Sequence, residues 1–163
     1  MKRSTIILGT AFGLLLAATV IFLAGSTLTA TLNVATATGA EYPGAYASVS
    51  GLVATRATFQ QFNAAMPADP AACRLEDVTL RLTNHGLVPA EWVSVTVEPA
   101  PGDVAVYSIT GEGSAVPALG ESAVNLKLVS NASQPPTRTY RIQYYVYGMK
   151  REITLQQTGV APS

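Results

Sequence analysis

The pattern of apolar and polar positions divides the chain into an unbroken apolar segment near the N-terminus and a long region of alternating residues. Thr5–Ala24 holds about twenty residues without a charge and follows the basic pair Lys2 and Arg3 after one serine. A helix of that length rises about 30 Å, which matches the hydrocarbon core of a bilayer. The segment therefore predicts one N-terminal transmembrane helix whose partner is the lipid bilayer through residues 5–24.

Two fates stay open for residues 1–26, an uncleaved anchor or a signal peptide. A secretory signal has an apolar region of about 7–15 residues before a small-x-small cleavage site. Leu28-Thr29-Ala30 and Ala35-Thr36-Ala37 offer such sites, but the apolar run is longer than that, which favours the anchor. Either way the basic pair stays inside and the remaining chain lies outside. The predicted location is the cell membrane, single-pass, with secretion as the outcome of cleavage.

Beyond the apolar segment, alternation with a period of two predicts strands with one buried face. Thr27–Val34 alternates, yet it can equally continue the helix, so residues 27–45 are interpreted as a linker or a first strand. Ala45–Phe59 is interpreted as a strand with a weak point at Gly51. Phe62–Arg74, which carries prolines and alanines, is interpreted as a connecting loop.

From residue 76 onward the alternation is densest. The predicted strands are 76–84, Trp92–Glu98, Val104–Thr110, Ser122–Ser130, Thr139–Tyr147 and Lys150–Gln157. Gly148-Met149 predicts a two-residue hairpin turn of type II′. Turn signals recur about every 8–12 residues and no long amphipathic helix intervenes, which is typical of an all-β sandwich. We predict such a domain, outside the membrane, over residues 46–163.

Four stretches of this region resemble one known module. They are Val78–Gly86, Pro89–Val97, Leu119–Leu126 and Tyr140–Val146. Together they resemble the immunoglobulin-like module of cell-surface proteins called the CARDB or NPCBM-associated type, although Leu119 stands where that module usually has proline. The resemblance covers residues 76–157. It implies an immunoglobulin-like antiparallel β-sandwich of about seven strands. Since such modules are mostly noncatalytic, it carries over no functional residue.

The charge and the motifs give little support for nucleic-acid binding, catalysis or metal binding. The formal net charge is zero, which gives no reason to expect a nucleic-acid partner. Cys73 is the only cysteine, so no intrachain disulfide forms, and we interpret it as buried and inert. His85 lies in a turn without a G-x-S-x-G partner and is interpreted as a solvated histidine. Glu76-Asp77 is interpreted as surface charge before a strand. We expect no catalytic residue, no cofactor and no metal site.

Two features remain as candidate sites. Tyr140 and Tyr144 alternate in step with the core positions of their strand, so we expect both to be buried. Tyr145 and Tyr147 then face outward and are a candidate interaction surface. Asn131-Ala132-Ser133 is an N-x-S sequence, which makes Asn131 a candidate glycosylation site.

The function predicted is a noncatalytic, membrane-anchored surface module that contacts a protein or another envelope component of unknown identity. The alternative is a subunit or accessory protein of an extracellular filament, such as a pilus, an archaellum stator or a biofilm fibre. In that case Thr27–Val34 complements a neighbour's sheet by self-association. A third hypothesis, an enzyme or receptor with an aromatic sugar site at Tyr145 and Tyr147, has less support.

Overall fold

The computed structural model describes residues 27–132 and 137–157, which form two antiparallel sheets. One sheet has five strands in the order β1-β3-β6-β5-β2, and the other has three in the order β4-β7-β8. The strands are β1 (Leu28–Thr38), β2 (Gln60–Gln61), β3 (Cys73–Asn84), β4 (Glu91–Glu98), β5 (Asp103–Thr110), β6 (Glu121–Asn131), β7 (Arg138–Val146) and β8 (Met149–Gln157). Helix α1 spans Pro43–Ala54, and a short 3-10 helix spans Pro70–Ala72.

The segment predicted to span a membrane, residues 5–24, lies outside the described residues. Within the part of the chain that the structure describes, no helix has both the length and the hydropathy needed to cross a bilayer.

The main core lies between the facing sheets. On β3, Val78, Leu80 and Leu82 are fully buried, and they pack against side chains of β7 such as Tyr140 and Ile142. Successive side chains of a strand point to opposite faces, so these every-second apolar residues all face the other sheet. The prediction of a β-rich domain is therefore confirmed, since two antiparallel sheets form most of it, although the helix α1 was not predicted.

The sequence of Thr27–Val34 fits either a strand or a continuation of the helix. In the structure this stretch belongs to β1 of the five-stranded sheet. Its register with β3 runs without interruption from Leu28 opposite Asn84 to Thr38 opposite Arg74. Leu28 is buried, and Leu32 is half-buried against the main core. The first strand is thus part of the hydrophobic packing of the domain.

The strand predicted over Ala45–Phe59 is wrong, because this region forms α1. Val49 and Val53 are four residues apart, which places both on one face of a helix. That face packs on the outer surface of the five-stranded sheet, against Cys73 and Leu75. In such a short apolar stretch a period of two and a period of 3.6 fit the same valines, so periodicity alone misassigned it.

The predicted turn at Gly148-Met149 is displaced by one residue. Val146 pairs with Met149, so the two turn residues are Tyr147 and Gly148, with φ of 51° and 73°. Positive φ at both central positions defines a type I′ turn, whose twist matches that of the flanking strands. Met149 is therefore the first residue of β8.

The interpretation of Glu76 as surface charge is also wrong, because Glu76 is 1% exposed. The guanidinium of Arg138, at the start of β7, donates from Nη1 to Glu76 Oε2 at 2.5 Å and from Nη2 to Asp103 Oδ1 at 2.5 Å. Ser130 Oγ donates to Glu76 Oε1 at 3.0 Å, and the Ala100 N–H donates to Asp103 Oδ2 at 2.7 Å. Arg138 thereby links the three-stranded sheet to β3 and β5 of the other sheet.

Burial by itself lowers the pKa of Arg138, but the hydrogen bonds that its guanidinium donates to Asp103 and Glu76 outweigh this effect and raise that pKa above its ordinary value. The guanidinium therefore stays charged whenever the protein is folded. A buried pair of this kind is strongly destabilising to break, because the remaining partners become uncompensated buried charges.

We expect Arg138→Met to lower the free energy of unfolding by about 3–5 kcal/mol, because two buried carboxylates lose their counter-charge. The measurement is urea denaturation followed by circular dichroism. Arg141→Met is the matched control, since Arg141 lies on the same strand with its side chain 43% exposed and pairs with Glu98 and Glu152. We expect its effect to be much smaller. Equal losses in the two variants would contradict a structural role for the buried cluster.

Candidate functional site

The two ends of the sandwich differ in chemistry. We call the end at which the chain enters β1 from Thr27 the proximal end, and the end that holds the Arg138 cluster the distal end. The start of β1 pairs with the end of β3, and the loop 85–90 leads from there into β4. The start of β4 pairs with the end of β7, next to the Tyr147-Gly148 turn. These strand ends therefore all lie at the proximal end.

Exposed large apolar side chains are concentrated at the proximal end. Six of the eight in the described residues lie there, with Trp92 at 69% and Leu119 at 68% as the most exposed. The other four are Leu87, Tyr145, Tyr147 and Met149. Of the remaining two, Tyr42 lies beyond the distal end of β1, and Phe59 lies beside the middle of β5, where its N–H donates to Val106 O. Apolar exposure concentrated at one end of a domain marks a candidate contact surface.

Trp92 is held in this exposed position by its backbone. Its φ is 52°, in the left-handed region that bulky residues rarely adopt, and the β4–β7 register shifts between Glu91 and Ser94. Hydrogen bonds at the neighbouring residue fix this bulge, since the Val93 N–H donates to Ser114 O at 3.1 Å and the Gly113 N–H donates to Val93 O at 2.7 Å. Strained residues of this kind cluster at functional sites.

Trp92 was not singled out as a site residue by the sequence. The signal was present, because Trp92 shares its even parity with Ser94 and Thr96, whereas the valines of this strand are odd. That parity predicts an outward indole. The exposed aromatic was missed because it stands at the end of the alternating run, where a strand boundary is hard to assign.

Tyr145 lies directly across from Glu91 in the β4–β7 pairing. An open depression of about 430 Å³ is lined by Glu91, Trp92, Tyr145 and Gly148. The structure therefore brings Tyr145, a residue of the candidate interaction surface, together with the tryptophan. Tyr147 is exposed in the adjacent turn, while Tyr140 and Tyr144 are buried in the core.

The remaining residues considered from sequence occupy separate places. His85 is exposed, with Nε2 at 2.9 Å from Thr29 Oγ1. Cys73 is fully buried beneath α1, and this burial raises the pKa of its thiol. Asn131 ends β6 and its N–H donates to Gly102 O at 2.9 Å, whereas Ser133 of the N-x-S sequence lies outside the described residues. Glycosylation at Asn131 stays a prediction.

The described ranges 27–132 and 137–157 contain no group of three or more His, Cys, Asp or Glu side chains arranged to hold a metal ion.

Comparisons with known proteins add little. No protein-family model matches the chain, and no curated protein matches it. Among solved structures, the chain is similar to the GAE domain of yeast GGA1, with 11% sequence identity, a TM-score of 0.38, and coverage of 56% of this chain and 92% of that one. A likeness of that size carries no argument about function. The CARDB or NPCBM-associated resemblance therefore stays a prediction.

We expect Trp92→Gly to be about 1 kcal/mol more stable than Trp92→Ala, because glycine adopts positive φ without strain and alanine does not. Both variants remove the same largely exposed indole, so the comparison isolates the backbone. Urea denaturation of the two variants measures the difference. A glycine variant less stable than the alanine variant would mean that the conformation of residue 92 is not strained.

Proposed function

We propose that this chain is a noncatalytic surface module with an immunoglobulin-like fold, anchored in a membrane by residues 5–24, that contacts other envelope components. The main support is the position of β1. It begins at Leu28, so only Gly25, Ser26 and Thr27 separate the folded domain from the apolar segment.

The cleavage alternative fits this position poorly. Both candidate sites, Leu28-Thr29-Ala30 and Ala35-Thr36-Ala37, lie inside β1. Cleavage after Ala37 would remove Leu28, Leu32 and Val34 from the core, together with nearly all of the pairing to β3. Removal of a signal peptide at either site would therefore damage the domain that it exports, which favours the uncleaved anchor.

The strand connectivity supports an immunoglobulin-like fold. The order β1-β3-β6-β5 corresponds to strands A-B-E-D of a constant-type domain, and β4-β7-β8 corresponds to C-F-G. The two-residue β2 adds to the D-strand edge through its pairing with β5. The loops of such sandwiches gather at the two ends, where contacts with partners are made.

The anchor is tested by expressing the full chain in a bacterial host, washing the membranes with alkaline carbonate and determining the N-terminus by mass spectrometry. We expect the chain to stay in the membrane pellet with its N-terminal region intact, because an apolar helix of this length does not leave the bilayer. A soluble product that starts near Thr31 or Thr38 would contradict the proposal. In the control variant, Leu14→Arg together with Leu16→Arg places two charges in the segment and should abolish retention.

One observation favours the filament alternative. Main-chain groups of β1 point alternately toward β3 and away from it. The odd-numbered residues direct their N–H and C=O groups toward β3. This follows from two hydrogen bonds, one from the His85 N–H to Thr27 O and one from the Gly39 N–H to Cys73 O. Even residues such as Ala30 and Leu32 thus present their N–H and C=O groups at the outer edge. Among the described residues, none donates to or accepts from the groups of residues 28–36 on that edge.

The other strand edges carry the usual protection against unwanted pairing. On β4, the Val95 N–H donates to the Glu112 carboxylate at 3.0 Å and the Val97 N–H donates to Gln60 Oε1 at 3.1 Å. β8 carries the charged run Lys150-Arg151-Glu152, and β2 has only two residues. In contrast, β1 has 11 residues without a charge or a proline. An unprotected edge of this length is suited to strand addition by a neighbouring copy.

If β1 assembles copies of the chain, Ala30→Pro should abolish association without removing an internal hydrogen bond, because the Ala30 N–H points outward. Thr154→Pro is the matched control, since its N–H lies on the free edge of β8, and it should assemble like the wild type. Sedimentation of the full chain in detergent measures assembly, and electron microscopy detects fibres. A wild-type chain that stays monomeric would end the filament alternative.

A further inference from the structure

We infer that the proximal end rests on the lipid headgroups of the membrane that holds residues 5–24, with Trp92, Tyr145 and Tyr147 in the interfacial layer. This inference rests on the proposed anchor and names the partner of the proximal end, a bilayer surface. Three features of the molecule support it: the covalent reach of the chain, the chemistry of the exposed side chains and the space left for any other partner.

The covalent reach keeps the proximal end close to the bilayer. Gly25, Ser26 and Thr27 connect the apolar segment to β1, so four chain steps separate Ala24 from Leu28, and these span at most about 14 Å even when fully extended. The headgroup layer on each side of the hydrocarbon core is about 5–8 Å thick. The start of β1 therefore lies in the headgroup layer or within about 10 Å of it, whatever path these residues take.

The side chains at this end have the chemistry of that layer. Tryptophan and tyrosine are enriched at membrane–water interfaces, because each combines an apolar ring with a polar atom that stays hydrated. Trp92, Tyr145 and Tyr147 are all exposed here, and Leu87 and Leu119 add apolar surface. Lys150 lies directly across from Tyr145 on β8, where its ammonium group can reach lipid phosphates.

Little space remains for a protein partner at this end. A helix with its side chains is about 10–12 Å across, and a packed sheet adds about 10 Å. Both are at least as large as the gap that four chain steps allow beyond the headgroups. Trp92, with its strained φ, leaves its indole 69% exposed at this end. A lipid surface is the partner that accepts an exposed indole at such a short distance.

Trp92 is the only tryptophan, so the intrinsic tryptophan emission of the full chain comes from the proximal end. The test reconstitutes the full chain in phosphatidylcholine vesicles whose acyl chains carry bromine atoms close to the headgroups, and in the same vesicles without bromine. We expect Trp92 to lose most of its emission in the brominated vesicles and to emit at shorter wavelength than in the unfolded protein.

The matched control moves the reporter to the distal end, with Trp92→Phe and Tyr42→Trp combined in one chain. Tyr42 is exposed and lies beyond the far end of the 11-residue β1, about 35 Å from its start. We expect no quenching in this variant. Circular dichroism verifies that it folds. Equal quenching at residues 42 and 92 would overturn the inference, because it would mean that the domain lies on its side.

Failure of the inference and failure of the anchor give different results. If the chain does not float with the vesicles in a density gradient, both the anchor and the docked proximal end are wrong. If the chain floats but Trp92 is unquenched by brominated lipid and open to aqueous acrylamide, the anchor stands and the inference is overturned. The proximal end would then be left for a protein partner.

Discussion

The packing of alternate side chains between two facing sheets is the constraint on which this domain depends. A strand exposes one face for every face that it buries, so each strand contributes a row of apolar residues to the same layer. Val78, Leu80 and Leu82 on β3, opposite Tyr140 and Ile142 on β7, form the centre of that layer. The edge strands, the loops and α1 are positioned by their attachment to it.

The two ends of this layer carry different kinds of side chain. At the distal end, Arg138 reaches from β7 to Glu76 and Asp103 and closes the gap between the sheets with charged hydrogen bonds. At the proximal end, Trp92 and Leu119 remain exposed. A buried ionic cluster adds little net stability over apolar packing of the same volume, but loss of one member is strongly destabilising. An exposed apolar end has no such structural use, and this contrast is why the proximal end is the candidate contact surface.

Much of the architecture follows from local pattern, and the exceptions have physical causes. The strands from residue 76 onward were predictable because each repeats the period of two over several residues. Helix α1 was not, because Val49 and Val53 fit both periods. The buried state of Glu76 was not predictable either, because its partners Ser130 and Arg138 are 54 and 62 residues away in sequence. Tyr145 was found from its position in the alternation, whereas Trp92, whose position also predicts exposure, stands at the end of a strand, where the boundary is hard to assign.

The sequence alone determined that an apolar segment precedes a β-rich domain, since length, charge and hydrophobic period are local properties that need no partner. Only the tertiary structure decided that Thr27–Val34 belongs to a strand, that Glu76 is buried and that Trp92 joins Tyr145 at one end. Each of these depends on residues far apart in the chain being brought together by sheet pairing. The strand β1 begins four residues after the apolar segment. This short connection is what relates the proximal end to a membrane surface.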